Sequence, residues 1–438
     1  MAHTPVIEAE WPALSRSLWM ATAQAAPDRP AVDGDVTCEV AIIGAGYTGL
    51  SAALHLAERG VSVRVLEAQT PGWGASGRNG GQVIPGLKEE PAAVKAHYGE
   101  PFGERVVALS AGAPDLVFEL IERHAIPCAP VRKGWIQPRH NAASAPIQEE
   151  RVAQWQARGA PVELLDRRGV ADRLGSEAYQ GGLIDHRGGA VQPLAYVRGL
   201  AAAAEAAGAI VHHLSPVTDL TSAAPPWRLS TPKGTVTALT VILATNAYGG
   251  ATYHRTLDRL RRSVVPTSSV QIATQPLSQN VRRSILPGGQ VASDTRRLLL
   301  YYRLDPDGRL VVGGRGAYTE AGVRRQQARL ETIAASVFPQ LGPCDFPYRW
   351  GGMVALTADH MPHLHRLAPG LLTGLGYNGR GIAMATAMGR VLADAASGTG
   401  DADLDFPFTP LRPIPFHALR RQVVMAVSGY YALKDRAA

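Results

Sequence analysis

The sequence predicts an α/β fold in which a βαβ unit near the N-terminus is completed by segments from far along the chain. Three observations predict it. A β-branched run, Glu39-Val-Ala-Ile-Ile43, leads straight into the glycine turn Gly44-Ala-Gly46-Tyr-Thr-Gly49. A helical pattern and an alternating strand follow at once. A second glycine-rich turn, Thr373-Gly-Leu-Gly-Tyr-Asn-Gly-Arg-Gly-Ile382, opens another helix near the C-terminus.

Residues 1–35, with Pro27, Pro30 and Gly34, read as an extended lead-in anchored by Trp11 and Trp19. Residues 39–43 have the apolar, β-branched character of a buried parallel strand. Leu50, Ala53, Leu54 and Ala57 carry helical spacing, and Gly60 ends that helix as its C-cap. Residues 61–66 alternate and form the second strand. The stretch 73–86 is glycine-rich and predicts little regular structure. Residues 104–124 predict a helix interrupted near Gly112 and Pro114, and 125–190 mix strand and helix. An alanine-rich helix is expected over 195–207 and an apolar strand over 236–244. Residues 297–302 and 309–313, split by Asp305-Pro-Asp-Gly308, read as a hairpin. Helices over 324–338, closed by Pro339, and over 381–396 complete the reading.

The first turn has the spacing G-x-G-x-x-G, in the strand-to-helix setting that gives the spacing meaning. Gly44 permits the tight turn, Gly46 lets backbone approach a pyrophosphate, and Gly49 lets helix and strand pack closely. The helix N-terminus offers N–H groups and a positive dipole end to phosphates. Glu67, closing the second strand, suits a ribose diol and opposes a 2′-phosphate, which disfavours NADP. A simple NAD dehydrogenase would place further βαβ units next. This chain continues instead with Pro71-Gly-Trp-Gly-Ala-Ser-Gly-Arg-Asn-Gly-Gly-Gln82, a loop suited to wrapping a longer dinucleotide such as FAD. In it Ser76, Asn79 and Gln82 offer polar contacts, and Arg78 is either a phosphate partner or a surface cation. The C-terminal turn, through Gly376, Gly379 and Gly381, brings N–H groups to where reduced flavin would carry negative charge. Val241-Ile-Leu-Ala-Thr-Asn246 reads as a third strand ending in small residues beside the nucleotide.

Composition narrows the field further. The 438 residues are 46% hydrophobic and 18% charged, an ordinary globular balance with room for two or three structural units. The net charge of +7 is spread in short pairs such as Arg261–Arg262 and Arg296–Arg297. That pattern argues against nucleic acid and for a field that draws in a carboxylate or an anionic cofactor. Three dispersed cysteines, Cys38, Cys128 and Cys344, make neither a disulfide framework nor a zinc site. With no apolar run of membrane-spanning length and no signal-peptide pattern, a cytoplasmic protein without integral membrane association is expected.

The ordered set GAGYTGLSAALHLAERG, WGASGRNGGQ, DGRLVVGGR, RWGGMVALTADHMPHL and GYNGRGIA resembles the D-amino-acid-oxidase (DAO) superfamily. The loop at 73–82 is similar to its γ-glutamylputrescine oxidase-like branch. The resemblance spans most of the chain. It implies a discontinuous Rossmann-type FAD-binding domain (36–100, 180–255 and 345–400) of the glutathione-reductase-2-like type. A mixed-sheet substrate domain (101–179 and 256–344), the lead-in and a C-terminal helical tail (401–438) would complete the chain. Expected FAD contacts are Gly44, Gly46, Tyr47, Thr48, Gly49, Glu67, Ala68, Gly74, Ala75, Ser76, Arg78, Asn79, Gly80, Gly81 and Gln82. Val217, Ala244, Thr245, Gly376, Asn378, Gly379, Gly381 and Ile382 extend that set. The implied chemistry is hydride transfer from the carbon beside an amine nitrogen to flavin N5. An imine and then an aldehyde or keto product result, and O2 or another acceptor takes the electrons. A γ-glutamyl-polyamine is the favoured amine; an NAD-dependent or quinone-linked dehydrogenase is the alternative. No His lies in 77–82 and no Cys in 350–373, so the FAD is expected to be non-covalent.

Amine oxidation needs the nitrogen lone pair free, which desolvation by aromatic side chains favours. Tyr302, Trp350 and Tyr377 are the aromatic candidates, and Arg303 is a candidate carboxylate clamp. Asp359-His-Met-Pro-His-Leu-His365 sets three histidines on a turn without an acidic cluster. No metal is expected there, and His360 is kept as a proton acceptor or substrate contact. The tail over 412–436 is basic and amphipathic, reading as docked on the parent domain, with an anionic membrane surface as the other option.

Overall fold

The structure is a computed structural model and describes residues 14–222, 224–249 and 255–437. Trp11 lies outside the described residues. Trp19 lies in a short helix, Leu18–Thr22, where an extended lead-in was expected; Ser17 caps it by accepting from the Met20 N–H.

Among the described residues, two eight-stranded sheets and a two-stranded one organise the chain. In the first, strands Leu371–Leu375, Gly234–Leu243, Gly34–Ile43, Val63–Leu66 and Ile210–His212 run parallel in that order. Strand His363–Ala368 pairs antiparallel at one edge. The first strand shows why the sequence folds this way. Val40 and Ile42 point into the core under the helices, while Ala41 and Ile43 point into the core on the opposite face. A strand buried on both faces has no polar side, hence the continuous apolar run. Helices Tyr47–Ala57, Pro193–Ala206 and Gly381–Ala396 cover one face, and the residues facing their neighbours are small or apolar.

The second sheet is mixed. Its order is Tyr348–Leu356, Val265–Ala273, Leu310–Arg315, Tyr301–Leu304, Val291–Ser293, Trp135–Pro138, Gly182–Asp185, Val162–Leu165. All of its pairings are antiparallel except Val291–Ser293 with Trp135–Pro138. Strands Gly182–Asp185 and Tyr348–Leu356 thus join this sheet, although both lie in segments that the resemblance gives to the nucleotide domain. The expected hairpin is present, its first strand being Tyr301–Leu304.

The helix expected to break at Pro114 runs unbroken from Phe102 to Arg123. Proline inside a helix costs about 3 kcal/mol. Here the long buried stripe from Val106 through Ile121, which includes Pro114 itself, outweighs that cost. The C-terminal tail is a helix, Arg420–Ala437, and Arg297 and Arg421 stack against Tyr431 and Tyr318 across the contact. Val423, Met425 and Tyr430 stay exposed. No helix among the described residues is long and apolar enough to cross a membrane.

Candidate active site

The expected nucleotide-binding residues gather at the carboxyl ends of the parallel strands, where α/β sheets open a crevice. The Gly44 N–H donates to Leu66 O at 2.9 Å, and a Cβ on Gly44 would lie 3.1 Å from Ala244 O. The first and third strand ends therefore abut, and Thr245 follows directly. A Cβ on Gly49 would run into the Gly44 carbonyl oxygen, so the helix can sit this close to the strand only with glycine there. The second turn is tied in by the Gly376 N–H, which donates to Asn246 Oδ1 at 3.2 Å. Val217 is buried in the same core cluster as Leu66 and Leu243.

Glu67 is held by backbone. Its carboxylate accepts from the Ala45 and Gln69 N–H groups, each at 2.9 Å. Burial pushes its pKa up, and these N–H groups, with that of Ala68, oppose the rise. A carboxylate has about four acceptor positions, so capacity remains for a diol. Among the described residues, the N–H groups of Gly46, Thr48, Gly49, Asn79 and Gly80 find no acceptor in the protein. Polar backbone groups brought together without partners, beside positions stripped of side chains, fit a phosphate-bearing ligand.

The loop from Gly74 to Gln82 is braced by its own polar residues. Ser76 Oγ accepts from the Tyr47 N–H at 3.0 Å, and the Tyr47 hydroxyl donates to Ser76 O at 2.6 Å. Asn79 Nδ2 donates to Ser76 O, and its Oδ1 accepts from the Gly81 N–H, both at 2.9 Å. Gln82 Nε2 donates to Ala292 O, tying the loop to the second sheet. Arg78 is not a surface cation. It is 4% exposed, donates to Trp73 O at 2.7 Å and lies over the Trp73 ring, and burial lowers its pKa.

Three donors converge on two adjacent carbonyls of this loop. Trp350 Nε1 and Gln271 Nε2 donate to Arg78 O at 3.0 and 2.6 Å, and Trp19 Nε1 donates to Asn79 O at 2.8 Å. In a trans peptide C=O and N–H point opposite ways. Holding these carbonyls on one side aims the acceptor-free Asn79 and Gly80 N–H groups to the other. Trp350, expected in the substrate pocket, is therefore a fully buried brace that stacks edge-on with Trp19 at 5.6 Å.

The other expected pocket residues fare differently. Tyr302 points away from the glycine loop into the second core, edge-on to Phe338 at 5.2 Å. Its strand neighbour Tyr301 is the one that faces the loop: a Cβ on Gly80 would lie 2.7 Å from its ring. Successive strand residues face opposite sides, so an error of one residue moves a side chain through the sheet. The Tyr301 hydroxyl pairs with Ser269 Oγ at 2.9 Å. Tyr301, Ser269 and Gln271 were missed from sequence. The signal that finds them is Gly313, opposite Tyr301 in register, which leaves room for its ring. Tyr377 is buried, with its hydroxyl 2.7 Å from Thr48 Oγ1, and joins the two helices that follow the glycine turns. His360 sits in a left-handed turn at the surface, with Nδ1 3.3 Å from Glu89. Arg303 is no clamp. It is 2% exposed and donates to Gly81 O and Val191 O, and burial lowers its pKa to about 10. Asn378 fastens the second turn by accepting from the Thr357 N–H at 3.0 Å.

The arrangement is a dinucleotide cradle whose loop leads onto one face of a mixed sheet. Comparison with known proteins gives the same answer. The family described as FAD dependent oxidoreductase, DAO, matches residues 39–395. Gamma-glutamylputrescine oxidoreductase of Escherichia coli (strain K12) is 34% identical over 403 residues, covering 92% of this chain and 93% of the relative. Glycine oxidase of Geobacillus kaustophilus (strain HTA426) is 27% identical over 81% of this chain and 92% of its own. The crystal structure of a Geobacillus kaustophilus glycine oxidase superposes with a TM-score of 0.69 at 23% identity, covering 87% of this chain and 99% of that one. L-proline dehydrogenase from P. horikoshii gives 0.68 at 17% identity, covering 90% and 99%. Two distant glycine turns meeting at one crevice, and a family match across both, make this chain a member of the DAO family of FAD-dependent oxidoreductases.

Proposed function

We propose that the chain oxidises a small amine or amino acid at its C–N bond, with a γ-glutamyl-polyamine-type amine as the favoured substrate. In this reading FAD is held non-covalently through the contact set named from sequence, and O2 or another acceptor takes the electrons. Bound in the cradle, FAD supplies the two-electron acceptor for the substrate C–H bond.

The observation that carries the reading is the sheet face turned toward the glycine loop. Trp135, Tyr301, Gln271 and Trp350 share that face by strand register, and their counterparts Ile136, Tyr302, Ile272 and Val270 fill the opposite core. An amine enclosed between that face and the loop loses water, which favours its neutral, reactive form. The Tyr301 hydroxyl, oriented by Ser269, is placed to contact the amine or its substituents. The likeness to gamma-glutamylputrescine oxidoreductase supports the choice of amine.

Anaerobic mixing of the purified flavoprotein with a panel of amines tests this. The panel holds γ-glutamylputrescine, N-methyl amino acids and D-amino acids. Bleaching of the flavin band by at least one amine, fastest with γ-glutamylputrescine, is expected. An unbleached flavin across the panel rejects amine oxidation.

A further inference from the structure

The C-terminal helix, Arg420–Ala437, lacks the buried face from which a helix normally takes its stability. None of its described side chains is buried, and Ser428-Gly429 in its middle lowers its intrinsic propensity. One side rests on the protein. The Ile414 N–H donates to Arg262 O and His417 Nε2 donates to Val264 O, both at 2.8 Å, which seats the start of the helix. Arg421 over Tyr318 and Arg297 over Tyr431 hold the turns that follow.

The side turned away is apolar. Leu419, Val423, Val427 and Tyr430 follow one another at spacings of four, four and three residues, so they form one stripe, and each is about half exposed. Just ahead of it, Phe416 is 85% exposed and held at φ 52°, a left-handed conformation that bulky side chains rarely adopt. At that exposure the ring gains little from packing on the protein to offset the strain.

The surroundings are basic. Residues 406–434 contain four Arg or Lys and no Asp or Glu. Arg262 and Arg297 add to them through the docking contacts, and the exposed Lys434 lies 5.1 Å from the centroid of the Tyr430 ring, beside the stripe. Asp258, which pairs with Arg261 and Arg262, offsets part of this charge. An apolar stripe bordered by cations matches a lipid surface whose headgroups are anionic. A second copy of this chain would instead bring charge of the same sign against it.

We propose that Phe416 and the stripe dock this protein peripherally on an anionic membrane surface. The apolar side chains enter the acyl boundary, and Arg412, Lys434 and their basic neighbours meet the headgroup phosphates. This attachment does not depend on which amine is oxidised.

Sedimentation of the holoenzyme with vesicles tests this, using phosphatidylcholine alone and an equal mixture of phosphatidylcholine and phosphatidylglycerol. Partition onto the mixed vesicles should exceed that onto the neutral ones about tenfold or more, and high salt should release the protein. F416N, in which asparagine suits the left-handed turn, and V423T/V427T, which keeps side-chain shape, should each weaken binding to the mixed vesicles about fivefold or more. Both should keep the parent's flavin spectrum and Tm, because the altered side chains lie at the surface. No partition at low salt, equal binding to the two lipids, or binding unchanged in the variants overturns the proposal. So does a dimer seen by light scattering without lipid that these variants break, because a second copy would then cover the stripe.

Discussion

The two glycine turns look alike in sequence and differ in what their glycines are for. At Gly49 the space beyond the α-carbon is filled by the Gly44 carbonyl and by Ile42, so the protein's own backbone forbids a side chain. At Gly379 and Gly381 a Cβ would meet nothing within 4 Å. The first turn is therefore a packing requirement that also serves a ligand. The second is held by its neighbours, Asn246 and Thr357; a Cβ on Gly376 would run into the Thr357 side chain, whereas Gly379 and Gly381 border open space. Identical residue types thus answer to packing at Gly49 and Gly376 and border open space at Gly379 and Gly381.

The largest expected effect breaks the first turn. G49A forces a Cβ against backbone that cannot move aside, and should destabilise the apoprotein by about 3 kcal/mol or more. Thermal unfolding of apoprotein reads this directly. An unchanged Tm would mean that the helix shifts freely and that the two turns are equivalent after all.

Acid should act on the second turn's supporting strands. His365, on strand His363–Ala368, is 2% exposed and gives its Nδ1–H to Thr409 O at 2.7 Å. Desolvation lowers its pKa from 6.5 to about 4, with the nearby His363 adding to the shift. The unfolded chain therefore binds a proton between these values that the folded chain refuses. The resulting stability is fully present above pH 6.5 and is lost as pH falls toward 4, by at most about 3 kcal/mol. Urea unfolding across that window should show the slope, and H365Q should flatten it. A slope unchanged in H365Q would assign it elsewhere.

G381A sharpens the contrast from the ligand side. Alanine suits a first helical position, so the apoprotein should hold its stability or gain up to about 1 kcal/mol. The FAD Kd, read by fluorescence quenching, should rise at least tenfold. A variant that loses apoprotein stability would show the second turn to be packed like the first.

The smallest effects separate the two faces of one strand. Y301F should lower kcat/KM about tenfold with little change in Tm. Y302F removes a hydroxyl that has no hydrogen-bond partner among the described residues, so it should leave kinetics alone and move stability by under about 1 kcal/mol. Reversed outcomes would place the pocket on the other side of the sheet.

Much of the nucleotide cradle was legible because its determinants are local. A strand buried on both faces must be apolar throughout, a tight turn against a helix must be glycine, and the acid that meets a diol must end the next strand. These demands fall within the span from Glu39 to Glu67 and need no knowledge of the rest of the chain. The loop after Gly74 was legible as a loop, but not in its workings. Ser76, Asn79 and Arg78 carry the right chemistry for a ligand, and the fold also uses them to brace backbone. The donors that set the loop's direction, Trp19, Gln271 and Trp350, come from three remote segments.

The sequence by itself determined the βαβ unit, the second glycine turn and the hairpin around Asp305, because each depends on residues a few positions apart. Only the tertiary structure decided that Tyr301 rather than Tyr302 meets the glycine loop and that Arg303 is walled in by backbone carbonyls. Which face of a strand is inside, and which cation finds a partner, depends on what other segments pack against it. That is set by contacts between residues far apart in the chain.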